Sequence, residues 1–122
     1  MGIDRGFATE GKARGHEISA KAGWIRYNRS VEFEWDANKA AENLRKHKVS
    51  FIEAATVFGD FLGTTAADPA HSAGEQRYIT VGLSSLGRLL MVAHAERGDR
   101  TRIISARTLT AKEKRAYENT EK

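Results

Sequence analysis

Three apolar runs in the middle of the chain constrain its fold more than any other feature. Arg77 to Arg107 reads RYITVGLSSLGRLLMVAHAERGDRTRIISAR, and its stretches rich in Val, Ile, Leu and Thr are separated by Ser84-Ser85-Leu86-Gly87 and by Gly98-Asp99. Both separators are turn-forming compositions, so the segment predicts an antiparallel meander of three strands. Gly98-Asp99 as a two-residue turn sets Arg97 opposite Arg100, Ala95 opposite Arg102, His94 opposite Ile103 and Val92 opposite Ser105. Closing the first hairpin at Ser84 to Gly87, with Leu83 opposite Arg88, sets Arg77 opposite His94.

Because side chains alternate along a strand, this register sorts the meander into two faces. One carries Arg77, Ile79, Val81, Leu90, Val92, His94, Glu96, Ile103, Ser105 and Arg107; the other carries Tyr78, Thr80, Leu89, Met91, Ala93, Arg97, Arg102, Ile104 and Ala106. A slip of one residue in either turn exchanges the groups. Six arginines lie in this segment against Glu96 and Asp99. Guanidinium groups bind phosphate bidentately and keep their charge at any relevant pH, so the cluster suits an anionic ligand. The same cluster is also accounted for by solvation and by pairing with Glu96 and Asp99.

The overall charge adds less than this local excess. Of the net +4, residues 1–30 supply +3, with six Lys/Arg against three Asp/Glu. They also hold five of the eleven glycines and no sustained apolar period, which predicts a flexible basic tail at 1–30 and a folded domain over 31–122. The 122 residues suffice for one domain with a modest core. Without cysteine there is no disulfide framework, thiolate zinc site or thiol nucleophile. No apolar run approaches the length of a membrane span or a signal peptide, so the default expectation is a soluble cytoplasmic protein.

Ahead of the meander, Val31-Glu32-Phe33-Glu34-Trp35 alternates as a strand, and Asp36 is placed to cap a helix running to about His47. Ala37, Ala40, Ala41, Leu44 and His47 fall on its apolar side, with Asn38, Lys39, Glu42, Arg45 and Lys46 on the wet one. Ser50 and Glu53 read as a capping box opening a second helix that Gly59 ends. A further strand within Asp60 to Ala67 and a loop from Asp68 to Glu75 lead into the meander. After it, Thr110 and Glu113 form a second capping box for a C-terminal helix with a thin apolar stripe.

Several chemistries are excluded. Gly82 to Gly87 lacks the glycine that a nucleophile elbow needs at Leu86, and neither phosphate-cradling glycine loop is present. Asp68, His71 and Glu75 match no established metal-ligand spacing, so no metal or cofactor is expected. His94 is the first candidate for proton transfer, flanked by Arg77 and Glu96 on the expected face. A histidine, arginines, a carboxylate and a hydroxyl suffice for one reaction without metal, cleavage of RNA by its own 2′-hydroxyl. Lys46 and His47 form a second basic pair, which the helix dipole also explains.

A series of short motifs then points to a family. Phe33-Glu34-Trp35-Asp36, Asn38-Lys39-Ala40, Asn43, Lys46-His47, Val49-Ser50-Phe51, Glu53-Ala54 and Val57-Phe58 are followed by Asp68-Pro69, His71-Ser72, Gly74-Glu75 and Arg77. Gly82, Ser84, Gly87-Arg88, Leu90, Val92, His94, Glu96-Arg97-Gly98, Arg102 to Arg107, Glu113 and Tyr117 complete it. From Phe33 to Tyr117, about seventy per cent of the chain, it resembles the BrnT family of ribonuclease toxins. Lys48 departs from the pattern, which commonly has glycine there, and residues 1–30 have no counterpart.

The resemblance implies an α+β, RelE-like fold: two N-terminal helices packed on a twisted antiparallel sheet of about four strands, with a C-terminal helix at the edge. It implies a metal-independent endoribonuclease of a type II toxin-antitoxin module that inhibits translation and is neutralised by a cognate BrnA-like antitoxin, meeting DNA only through that antitoxin. On chemistry and position, Arg77, Arg97, Arg102 and Arg107 are expected to hold phosphate, His94 and Glu96 to serve acid-base chemistry, and Ser105 to orient substrate or an arginine. The alternative is a non-catalytic module binding nucleic acid or protein through the same surface.

Overall fold

The computed structural model describes residues 11–13, 16–19, 24–27, 31–71 and 74–120. Strand β4 (Val31–Glu34) leads into helix α1 (Ala37–His47), helix α2 (Phe51–Thr56) and a 3-10 turn at Val57–Gly59. Strand β5 (Thr64–Ala67) precedes the meander of β6 (Arg77–Leu83), β7 (Leu89–Arg97) and β8 (Arg100–Thr108), and helix α3 (Ala111–Thr120) follows. Five of these strands form one mixed sheet in the order β4-β8-β7-β6-β5. Residues 1–10 of the expected basic tail lie outside the described residues. Beyond them, the backbone of β1 (Gly11–Ala13), β2 (His16–Ser19) and β3 (Trp24–Tyr27) continues the sheet from β4 in antiparallel pairs.

The architecture is α+β as expected, but the sheet is neither purely antiparallel nor four-stranded. β4 runs parallel to β8, with Glu32 opposite Arg100 and Glu34 opposite Arg102. The connection between them is long, as a parallel pair requires: it runs through α1, α2 and then β5, β6 and β7 before β8 returns to lie beside β4. Both helices lie on one face, where Phe33, Trp35, Val49, Phe51, Val57, Leu90, Val92 and Ile103 close the core. Phe33 and Phe58 meet at 5.0 Å with their rings tilted by 51°, and Trp35 meets Phe51 edge-on at 6.1 Å.

Each helix starts where its capping residue places it. The Asp36 carboxylate accepts from the Lys39 amide at 2.9 Å, and the Ser50 hydroxyl accepts from the Glu53 amide at 3.0 Å. Thr110 and Glu113 form the full reciprocal box, at 2.9 and 3.1 Å. At Ser50 only half the box forms, because the Glu53 carboxylate turns inward to Arg88 and the Ser84 hydroxyl. That Arg88 guanidinium is the main reason the buried Glu53 carboxyl is held below its ordinary range.

Helix α1 departs from its expected amphipathic orientation. Its buried residue is Asn43, whose amide donates to Val49 O at 2.9 Å and Ala106 O at 2.8 Å and accepts from Ala106 N at 3.1 Å. Of the alanine and leucine stripe Ala40 packs partly against the core, whereas Ala37, Ala41 and Leu44 face outward, Leu44 half exposed. β4 stops pairing at Arg102, so the Asn43 amide supplies the neighbour that β8 lacks further along at Ala106. Lys48 ends the helix at φ +60°, the left-handed conformation that costs a side-chain-bearing residue roughly 1 kcal/mol.

Two stability changes follow. Asn43→Leu should lose about 3 kcal/mol in urea unfolding, since it strands three buried backbone groups. Lys48→Gly should gain about 0.5–1 kcal/mol by relieving the left-handed residue; a loss of stability on that change would show that the Lys48 side chain holds the helix end.

Candidate functional site

The meander forms, but two one-residue shifts move its faces away from the expected partition. The first hairpin closes through Ser84 N to Arg88 O at 2.8 Å, leaving a three-residue loop with Gly87 at φ +81°. Leu83 therefore faces Leu89, and Arg77 faces Ala95 rather than His94. The second hairpin turns at Gly98-Asp99 as expected, with Gly98 at φ +63°, the first-position glycine of a type II′ turn. Beyond it, His94 faces Ile103 but Ala93 faces Ser105, so Ile104 is an extra residue absorbed in a bulge.

The corrected register separates the expected site residues into two groups. His94 and Glu96 share the helix-covered face with Thr80, Leu90, Val92 and Ile103. Arg77, Arg97, Arg102, Ser105 and Arg107 all share the other face with Ile79, Val81, Met91 and Ala93. The partition that put His94 beside Arg77 and Ser105, and Arg102 across the sheet from them, is thereby replaced.

On the helix side His94 is 2 % exposed. Phe58 meets its ring edge-on at 4.8 Å and Tyr78 stacks on it at 5.8 Å. Its Nδ1 lies 3.3 Å from Glu96 Oε2 and its Nε2 lies 2.7 Å from Thr80 Oγ1, which lies 2.7 Å from Thr65 Oγ1. An ionised carboxylate only accepts, so Nδ1 carries the ring proton and Nε2 accepts from Thr80. Thr101 donates a further bond to Glu96 at 3.1 Å. Burial pushes the His94 pKa below 6.5, and Glu96 opposes the shift.

On the other face the arginines interleave with carboxylates from three elements. Glu75 Oε2 lies 3.5 Å from Arg77 Nε, and its Oε1 lies 3.4 Å from Arg97 Nη2. Glu34 lies 3.2 Å from both Arg100 and Arg102, while Glu32 lies 3.2 Å from Arg100. Arg97 and Arg100 face each other across the ladder, a repulsion these carboxylates offset. Their partners are thus Glu75, Glu32 and Glu34 rather than Glu96 and Asp99. Arg107 is engaged differently, through two bonds of 2.8 Å to Glu113 of α3 and a contact of 3.2 Å to Met91 Sδ. This pairing holds the Glu113 carboxyl at about 2. Tyr117 ties the same helix to Leu62 O at 2.8 Å.

Glu32, Glu34, Glu75 and Arg100 belong to this surface, though the sequence reading gave none of them a role in the site. The alternation that puts Glu32 and Glu34 on one side of β4 was legible; their position against β8 depends on a parallel pairing between distant segments.

Comparison with known proteins connects this geometry to a family. A family model describing the ribonuclease toxin BrnT of type II toxin-antitoxin systems matches residues 35–113. The chain belongs to the BrnT family. Among solved structures, the Brucella abortus ribonuclease toxin BrnT matches with 25% identity and a TM-score of 0.48, covering 62% of this chain and 92% of that one. No curated protein matches. The family match begins at Trp35 and ends at Glu113, so it includes Arg77, Arg97, Arg102, Arg107 and His94 but not Glu32 or Glu34. No helix among the described residues of this BrnT-family chain is long and apolar enough to cross a membrane.

The buried histidine should give stability a pH dependence of definite sign. The unfolded chain takes up a proton near pH 6.5 while folded His94 resists it, so stability falls as pH drops below about 6.5. Thermal melts at pH 7.5 and 5.5 should show a larger fall for the native chain than for His94→Gln; equal falls would mean that His94 is not the responsible group.

Proposed function

We propose that residues 31–122 form an endoribonuclease toxin that cuts RNA without a metal ion, inhibits translation when free and is silenced by a cognate antitoxin. The observation that carries this reading is the convergence of Arg77, Arg97, Arg100 and Arg102 on one face of the sheet, all reaching their carboxylates at 3.2–3.5 Å. Contacts of that length are looser than a bidentate pair, so an RNA phosphate can displace a carboxylate and take up the guanidinium donors. Membership of a ribonuclease-toxin family supports the same chemistry.

In this reading Arg77, Arg97 and Arg102 hold the scissile phosphate and stabilise the charge that builds on it. The substrate 2′-oxygen attacks phosphorus, the bond to the 5′-oxygen breaks, and a cyclic 2′,3′-phosphate and a free 5′-hydroxyl result. Glu75 takes the 2′-proton, because it sits between two of these arginines on the substrate face, and the leaving 5′-oxygen takes a proton from water. Ser105, exposed on the same face, orients the substrate. Arg107 serves the site indirectly by holding α3 at its end. His94 and Glu96 position the end of β7 from the other face. DNA lacks the attacking hydroxyl, so the mechanism selects RNA.

The burial of His94 favours a second reading, a non-catalytic module that binds RNA through the same arginines. One set of measurements separates them. In chelator, the native chain should cut single-stranded RNA; Arg102→Ala should weaken both binding and cutting about tenfold, a loss of roughly 1.4 kcal/mol. Glu75→Gln should slow cutting on the order of a hundredfold and leave binding within about twofold. Cutting that appears only with added divalent metal overturns the mechanism, and RNA bound but never cut leaves the binding module standing.

A further inference from the structure

Helix α1 is docked on the sheet by a polar residue and shows its apolar stripe to solvent. Asn43 faces inward, whereas Ala40, Ala41 and Leu44 line an open groove with Trp35, Phe51 and Ile52. The groove holds about 240 Å³, and Leu44 is 50 % exposed. Its residues recur at i, i+3, i+4 and i+7 from Ala37, a strip about 10 Å long. Apolar side chains gathered along one groove offer a docking surface that singly scattered ones do not.

Backbone chemistry and charge select the occupant. The groove walls are helices whose backbone groups are already bonded within the helix, so an added strand would find no ladder to join. A helix, which satisfies its own backbone and presents anchors at matching spacing, fits instead. From Asp36 to Lys48 the chain carries Lys39, Arg45, Lys46 and Lys48 against Asp36 and Glu42. Arg45 and Lys48 adjoin Leu44, while Lys39 and Lys46 lie on the far side of the helix, where Glu42 pairs with both Lys46 and Arg45. A second copy of the chain would bring the same positive excess, whereas an acidic partner gains attraction.

We propose that this groove receives an amphipathic helix of the partner antitoxin, with one large apolar side chain set against Leu44 and Ala41 and acidic residues facing Arg45 and Lys48. The proposal rests on the toxin reading and adds where the antitoxin is anchored. α1 and α2 cover the opposite side of the sheet from the arginines, so this contact supplies affinity while a separate acidic segment covers Arg77, Arg97 and Arg102. Anchoring and inhibition are then separable, because substitutions in the groove leave the arginine face intact.

The probe is the purified protein encoded by the reading frame beside the toxin gene, with its dissociation from the full chain followed by surface plasmon resonance. Leu44→Glu and Ala41→Glu should each speed dissociation at least about tenfold while changing association less than about twofold, as loss of a central apolar anchor does. Leu86→Glu, at an exposed leucine in the β6–β7 loop, should change neither rate. All three free variants should cut RNA at the native rate and keep the native circular dichroism spectrum. Native dissociation rates for both groove variants would overturn the proposal. So would a native chain that dimerises in sedimentation and becomes monomeric on Leu44→Glu with antitoxin dissociation unaltered. If the native chain never cuts RNA, the ribonuclease reading fails on its own, and the dissociation rates still report on the groove.

Discussion

The Asn43 side chain is the interaction on which the layering of this domain depends. β4 accompanies β8 only as far as Arg102, after which the chain has turned away into α1, and a backbone edge in the core cannot be left without partners. The Asn43 amide meets both backbone groups of Ala106 and also holds Val49 O, so one residue joins the first helix, the turn into the second and the central strand. With Asn43 directed inward, the rotation of α1 is set and Leu44 can only face out. α2 then supplies most of the helical apolar contact, burying Phe51, Ala54 and Ala55, while α1 adds only the partly buried Ala40.

The opposite face of the sheet works by a different balance. Cations there stand beside one another across the ladder, an arrangement tolerable only because acidic residues from β4 and from the loop before β6 stand among them. That interleaving holds the face together through contacts of 3.2–3.5 Å, longer than those of the Arg107–Glu113 pair. Arg107 stands apart: its two short bonds to Glu113 make it a fastening for the last helix.

Local chemistry was legible in the sequence. The caps at Asp36, Ser50 and Thr110, the turn at Gly98-Asp99, the helix ending at His47 and the family motifs each depend on a few adjacent residues, and each stands where the sequence placed it. What escaped was parity and long-range pairing. A loop closed one residue later than assumed moves Arg77 away from His94, and no composition distinguishes the two closures at Ser84 to Gly87. The parallel union of β4 with β8 joins segments more than sixty residues apart. Asn43 escaped for the opposite reason, because a helical apolar pattern directs attention to Ala40 and Leu44 when the inward residue is a polar one.

The bulge at Ile104 bears on how such a sheet can change over time. The strand carries one residue more than its ladder requires, and the surplus is absorbed where Ala93 gives way to His94. Elsewhere in the meander a single added or lost codon would reverse the strand and drive an arginine into the apolar layer. At Ile104 the chain can shorten by one residue and keep Ser105 and Arg107 where they are, so this is the point at which lineages of this domain can differ in length and still share a surface.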